Sequence, residues 1–378
     1  MSETAYIATT TIPARRPPMR MTGAWGLVRT RLLNSPTNIL LTILCALLLW
    51  FTVLPTVRFL LVDAVWQGSD RNACLPETVG RPVGACWPFI QAKLSQFIYG
   101  FYPASERWRV DLTFLLGAML LVPLLIPQLP AKAANAALFF LGFPIIAFLL
   151  LHGGYGGLTV VPTRLWGGML VTLVVAITGI VASMPIGIAL ALGRRSSIPL
   201  IRFGCIAFIE FWRGVPLITV LFFATYMLPL FLPGNFTVDG LVRVLIGVAL
   251  FAGAYNAEVI RGGLQAIPRG QAEAASALGL SWCRTTRLVV LPQALRHVIP
   301  GLVNSFIALL KDTSLVSIVA LFDLLGQLRA AFADPAWSSP STLFTGFAFT
   351  GIIYFVMCFS MSRYSLFVER RLNAHRRS

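Results

Sequence analysis

Charge is scarce in this chain, and acid is scarcer than base. Only 12% of the 378 residues are Asp, Glu, Lys or Arg, about half the share of a soluble globular protein. Six cysteines are too few for a disulfide scaffold. The three histidines, His152, His297 and His375, are scattered, so no metal-ligand set is expected. There is no G-x-x-x-x-G-K-[ST] loop to cradle phosphates and no G-x-S-x-G elbow. The expectation is a chain that is not itself an enzyme and holds neither metal nor cofactor. What is abundant is apolar: 57% of residues are hydrophobic and the mean hydropathy is +0.79. That excludes a water-soluble enzyme as the default, and disorder as well. The 30 Lys and Arg against 14 Asp and Glu are spread between long apolar runs. They form no contiguous basic face, so nucleic acid is not an expected partner; a lipid bilayer is.

A spanning helix needs about 20 mostly apolar residues. Eight segments qualify, near residues 39–57, 112–129, 136–151, 166–192, 215–232, 241–260, 298–322 and 344–361. The fold class is therefore an all-α integral membrane protein. The first run starts too deep and runs too long for a cleavable signal, so it is expected to remain as an anchor. Basic residues set the orientation. Arg15, Arg16, Arg20, Arg29 and Arg31 precede the first span, and Arg370, Arg371, Arg376 and Arg377 follow the last. Both termini are expected in the cytoplasm.

The chain divides near residue 160. Residues 1–160 carry three spans and a long outside loop, about 63–111, with five basic and five acidic residues. That loop holds Cys74 and Cys86, which can pair in an oxidising compartment or stay as two thiols. Residues 161–378 form a five-span unit with a long cytoplasmic loop, about 261–296. There Pro268 can open a helix, the alanine-rich stretch Gln271 to Leu278 favours it, and Gly279 can end it in the left-handed conformation. Glu273 near its start suits the helix dipole. A second segment, Trp282 to Val290, should stop at Pro292 before the chain re-enters the bilayer.

Polar residues inside spans call for an explanation. Lys311 and Asp312 are adjacent, so on a helix they point about 100° apart. They can line an aqueous route or form an intersubunit ion pair. Glu258 and Arg261 are one turn apart and can pair locally, as can Glu210 and Arg213. Gly167, Gly168, Gly179 and Gly187 are expected to permit close helix packing.

The run Glu273-Ala274-Ala275, then Gly279, Val289 and Leu291-Pro292 resembles the EAA signature of ABC importer permeases, with valine where isoleucine is usual. Glu210-Phe211-Trp212-Arg213-Gly214-Val215-Pro216-Leu217, Ala257-Glu258, Arg261-Gly262-Gly263 and Leu310-Lys311-Asp312-Thr313-Ser314-Leu315 resemble the polar amino-acid branch of that family. The resemblance covers about residues 165–372. The three added spans and Ala85-Cys86-Trp87 look like the larger permease of general L-amino-acid importers.

That resemblance implies a bacterial inner-membrane permease subunit that forms half of a pore with a second, smaller permease. An ATP-binding subunit binds the nucleotide, and a periplasmic amino-acid-binding protein delivers an L-amino acid. It makes Glu273, Ala274, Ala275, Gly279, Leu291 and Pro292 the coupling contact, and Lys311, Asp312, Thr313 and Ser314 candidates for the translocation path. The competing class is a gated channel or secondary transporter without an ATPase. It would not require a docking helix, and the inverted repeats common in secondary transporters are not evident.

Overall fold

The computed structural model describes residues 25–26, 28–126, 128–231, 233 and 238–374. Arg15, Arg16, Arg20, His375, Arg376 and Arg377 lie outside the described residues. The chain is helical, and among the described residues extended segments meet only in isolated bridges, such as Val65 with Cys86.

In chain order the helices are α1 (Pro36–Val62), the short α2 (Trp87–Tyr99), α3 (Ala104–Leu125), α4 (Lys132–His152) and α5 (Met169–Gly193). Then come α6 (Pro199–Gly214), α7 (Leu217–Phe231) and α8 (Gly240–Gln265). After α8 follow α9 (Arg269–Ala277), α10 (Trp282–Val319), α11 (Leu324–Phe332) and α12 (Pro340–Ala374). Among the described residues seven helices are long and apolar enough to cross a membrane, and α6 with α7 makes eight if that bent pair is one span.

Three boundaries differ from the sequence expectation, each for a physical reason. The span expected at 215–232 is preceded by α6, set at 101° to α7. Val215 and Pro216 are both extended at the corner, because a proline disfavours helix in the residue before it. The span expected to begin at 112 starts at Ala104, since its arginines are accommodated. Arg109 is only 1% exposed, paired with Glu106 at 2.6 Å and donating to Thr159. Pro292 does not break the chain. Residues Trp282–Val319 run on as one helical rod, with a π turn at Thr286–Val290 just before the proline. There the ladder slips by one residue around the missing N–H.

The core is α5 against α8, where Gly187 permits the approach. A Cβ there would stand 2.9 Å from the Cβ of Asn256. α3 and α4 join this core where Val110 and Leu151, with the flanking Tyr102 and Val161, pack around Trp166 and Leu170; at the other end of α3, Leu125 O accepts from Tyr364 OH of α12. At the Trp166 end a disulfide links Cys74 and Cys86, and both are tied to the start of α12, where Cys86 N–H donates to Thr345 Oγ1 and Ser341 Oγ donates to Cys74 O, while α2 packs onto α11. Phe89 and Phe97 of α2 share a cluster with Leu324, Leu328 and Trp337. Gln96 donates to Gln327 at 3.0 Å, and Lys93 pairs with Asp334. By contrast, no residue of Pro36–Val57 is buried. α1 is held at its far end, where Phe59 accepts from Ala85 N–H and its ring meets Phe344 edge-on.

Candidate functional site

Three polar constellations stand out, at different levels of the bundle. The first is the loop that carries α9, at the end opposite the disulfide. α9 begins after Pro268 and ends in a Schellman arrangement: Leu280 N–H reaches Ala275 O at 3.1 Å and Gly279 N–H reaches Ser276 O at 2.9 Å. Gly279 has φ +79° and nothing near its missing side chain, so conformation rather than space calls for glycine. Glu273 sits in the middle of the helix, since the first turn holds no acid; the dipole argument for it does not apply.

The faces of α9 divide sharply. Ala275 is 4% exposed and faces the rest of the protein. Its small side chain therefore serves the approach of α9 to its own bundle. Leu291 likewise packs into the inner cluster with Ile260, Leu264 and Ala294. Glu273, Ala274 and Gly279 are exposed, as is Pro292. Beside them Leu278 is 82% and Trp282 67% exposed, two large apolar side chains that sequence reasoning did not single out. An apolar residue in an amphipathic loop was the available signal. Between α9 and the spans lies a cavity of about 350 Å³ lined by Arg195, Arg269, Glu273, Trp282 and Thr285.

The second constellation is an ion cluster where α5, α6 and α8 meet. Glu258 accepts from Arg194 at 2.6 Å and from Arg261 at 2.7 Å, with Arg213 at 3.9 Å. Arg194 also bonds Glu210 at 3.0 Å. The local pair of Glu258 with Arg261 is present. The expected pair of Glu210 with Arg213 is not formed. Arg194, at the end of α5, is brought to Glu210 by the fold, and Arg213 instead lies over the Tyr255 ring at 5.7 Å.

The third lies along α10. Asp312 lines a cavity of about 340 Å³ with Tyr255, Asn256, Asn304 and Ser305, between α8 and α10. Lys311 and Ser314 line another, of about 270 Å³, with Leu325, Thr350 and Tyr354. Thr313 is buried and donates to Leu310 O at 2.8 Å. The four neighbours 311–314 thus do not converge on one site. Asn256 was missed by sequence reasoning; a lone amide inside an apolar helix was its signal. It is 1% exposed and its Nδ2 donates to Ser183 Oγ at 2.9 Å. Ser183 donates in turn to Ile180 O, so its oxygen can only accept from the amide. That fixes the amide orientation and leaves Asn256 Oδ1 buried without a hydrogen-bond partner.

Above these cavities Asp323 caps α11. It is fully buried and accepts from Gly326 N–H at 2.9 Å and from Tyr354 OH at 2.9 Å. Burial pushes its carboxyl above the ordinary carboxylate range, against the lowering effect of those bonds. Among the described residues no group of three or more His, Cys, Asp or Glu could hold a metal ion.

Comparison with known proteins bears on the whole arrangement. Residues 183–374 match the profile of the binding-protein-dependent transport system inner membrane component family. The chain is 48% identical to the inner membrane amino-acid ABC transporter permease protein YhdY of Escherichia coli (strain K12), over 92% of this chain and 93% of that one. It is 37% identical to the glutamate/glutamine/aspartate/asparagine transport system permease protein BztC of Rhodobacter capsulatus, over the full length of both. A shorter relative, the probable glutamine ABC transporter permease protein GlnP of Bacillus subtilis, is 34% identical over 52% of this chain and 88% of its own length.

Proposed function

We propose, for a chain that belongs to the binding-protein-dependent transport system inner membrane component family, that its role as an ABC importer permease is the uptake of L-amino acids, driven through the α9 loop. The observation that carries the coupling reading is the pair Leu278 and Trp282. Two large apolar side chains stand exposed beside α9, Leu278 at its C-cap and Trp282 at the start of α10, where bulk water disfavours them. A groove on an ATP-binding subunit would cover them, and ATP-driven closure would move α9 and rock the spans to which α10 rigidly connects it. The α9 end is then cytoplasmic, as are both termini.

The chain has no phosphate-cradling loop, so ATP is bound by the partner subunit. A second, smaller permease completes the pore, because residues 1–160 lie outside the region that matches the family profile. A periplasmic binding protein supplies the substrate at the disulfide end. The cavity between α8 and α10, with Asp312, Asn256 and Ser305, is this subunit's share of the translocation route. The relatives' named substrates, amino acids and among them glutamate, glutamine, aspartate and asparagine, support that substrate class.

The test is cross-linking. A cysteine placed at Leu278 and alkylated with a photoactivatable reagent, in the complex expressed from its whole operon, should cross-link to the ATP-binding subunit in the resting state and change its yield when ATP is trapped. Capture of Leu278→Cys by no ATPase, with transport intact, would refute the coupling reading.

A further inference from the structure

α6 is an amphipathic helix laid across the ends of two spans. α7 runs alongside α8, where Arg243 donates to Thr225 O at 2.6 Å, and α6 stands at 101° to α7. α6 therefore crosses α8 instead of running beside it. It does so near the end of α8 that carries the ion cluster. Ile209 packs with Ala257 and Ile260, and Arg194 bonds both Glu210 of α6 and Glu258 of α8, at 3.0 and 2.6 Å. The face opposite Ile209 has no partner in the chain. It is a stripe of Leu200, Phe203, Ala207 and Phe211, three and four residues apart, and the helical period puts no polar side chain inside it. Its three large side chains are 82%, 72% and 62% exposed. The charge beside it is of one sign. α6 and the adjoining ends of α5 and α8 carry Arg194, Arg195, Arg202, Arg213 and Arg261 against Glu210 and Glu258. Arg194, Arg213 and Arg261 share the two acids. Arg195 and Arg202 are exposed, and neither has an acidic partner among the described residues; Arg195 reaches only Leu264 O, at 3.2 Å.

We propose that α6 lies in the membrane surface and binds anionic phospholipid, with the stripe Leu200, Phe203, Ala207 and Phe211 among the upper acyl chains and Arg195 and Arg202 on the headgroup phosphates. A helix with one apolar face, a basic edge and an axis in the plane of the bilayer is the form that suits the boundary between headgroups and acyl chains. The charge decides which lipid: two cations without counter-ions attract anionic headgroups and gain nothing from zwitterionic ones. The bilayer surrounds the spans at this level and offers both chemistries at once, acyl chains for the stripe and phosphates for the arginines. The ion cluster then has a second use. Through Arg194 it fastens the surface helix to α5 and α8, so the lipid contact is tied to the core of the bundle. That this surface is the cytoplasmic one rests on the orientation in the proposed function; the lipid contact itself does not, so its failure leaves the importer reading standing.

The experiment uses the full importer complex with Phe203→Cys carrying a nitrobenzoxadiazole fluorophore, the unpaired cysteines Cys45, Cys205, Cys283 and Cys358 being replaced by alanine. The complex is reconstituted in vesicles of equal parts phosphatidylcholine and phosphatidylglycerol, with a nitroxide quencher on the acyl chain of one lipid or the other. A nitroxide near the headgroup end of the chain should quench more strongly than one at mid-bilayer, and iodide in the water should quench little. Nitroxide-labelled phosphatidylglycerol should quench about two-fold more than nitroxide-labelled phosphatidylcholine at the same mole fraction. Arg195→Gln with Arg202→Gln should bring that ratio to one and leave the depth pattern unchanged. Strong quenching by iodide with none by lipid overturns the proposal, because the stripe is then in water. Quenching by neither also overturns it, because another protein surface then covers the stripe. Equal quenching by the two lipids in the chain with both arginines overturns the assignment to anionic headgroups. If the double variant fails to assemble, salt replaces it: at about 0.5 M the attraction is screened, and the ratio measured with both arginines present should fall toward one. A ratio unmoved by salt would refute the headgroup contact.

Discussion

Lys311 and Asp312 are consecutive in α10, yet their side chains open onto different cavities. Asp312 faces α8 with Asn256 and Ser305, and Lys311 faces α11 and α12 with Tyr354 and Thr350. The cause is the helix itself, which turns about 100° per residue. Two opposite charges placed side by side in sequence are thereby kept out of ion-pairing distance.

Coupling should be sensitive to Leu278 more than to Ala275. Leu278→Asp puts a charge on the exposed surface beside Glu273, where it does not disturb folding and would be buried unpaired in a docked groove. Uptake and substrate-stimulated ATPase activity in proteoliposomes should fall together by more than ten-fold, with normal amounts of chain in the membrane. Gly279→Ala should cost about 1–2 kcal/mol of local stability through its positive φ and reduce coupling less. Wild-type uptake by Leu278→Asp would mean the loop docks nothing.

Glu258 should be the most stability-sensitive acid at the α9 end. It receives Arg194 and Arg261 and lies near Arg213, and its side chain is 16% exposed. Glu258→Gln leaves those cations without their counter-charge and should cost about 3 kcal/mol. Glu210→Gln removes a half-exposed partner of Arg194 alone and should cost under about 1 kcal/mol. Thermal unfolding of the purified complex ranks the two; equal losses would contradict the shared cluster.

The disulfide should resist reagents while the protein is folded. Cys74 and Cys86 are buried in one cluster with Phe89 and Phe97 of α2, twelve residues apart, a closure that stabilises by about 3 kcal/mol in the chain-entropy model. Non-reduced, denatured protein should yield one linked peptide pair by mass analysis and no alkylation at either position. The double variant Cys74→Ser with Cys86→Ser should show faster hydrogen exchange in α11, against which α2 packs directly after Cys86.

The clasp between Lys93 and Asp334 should weaken in acid. The hydrogen bond from Lys93, then that from Ala336 N–H, holds the Asp334 carboxyl below its ordinary range. A lowered folded-state value means the contribution is present above the unfolded carboxylate value, about 3.9, and is lost as pH falls through the folded one. The stability difference between wild type and Lys93→Met should therefore be constant near neutrality and shrink below about pH 4. A difference independent of pH down to complete unfolding would show that the pair contributes nothing.

Much of the architecture was legible because it is local or additive. Hydropathy over windows of span length located the helices α1, α3, α4, α5, α7, α8, α10 and α12, with shifted ends. The glycine at 279 marked the end of α9 because a positive φ is a property of a single residue. The shifts came where a distant partner changed the cost of a residue. Arg109 moved into α3 once Glu106 and Thr159 were beside it, and α10 absorbed Pro292 through a π turn. Helix spacing suggested Arg213 as the partner of Glu210. Arg194, which no local rule connects to it, took its place.

By itself the sequence determined that this is a many-span helical membrane protein with a short, small-residue helix outside the spans. Those properties depend on transfer of side chains to lipid and on backbone preferences, both of which are set residue by residue. Only the tertiary structure decided that Ala275 of α9 faces the bundle while Leu278 and Trp282, just beyond its end, stay exposed. It alone seated the disulfide against Ser341 and Thr345 of α12 and parted Asp312 from Lys311 into separate cavities. Those outcomes depend on which helices lie alongside one another, and the direction of a side chain acquires a neighbour only when the packing of the whole bundle supplies one.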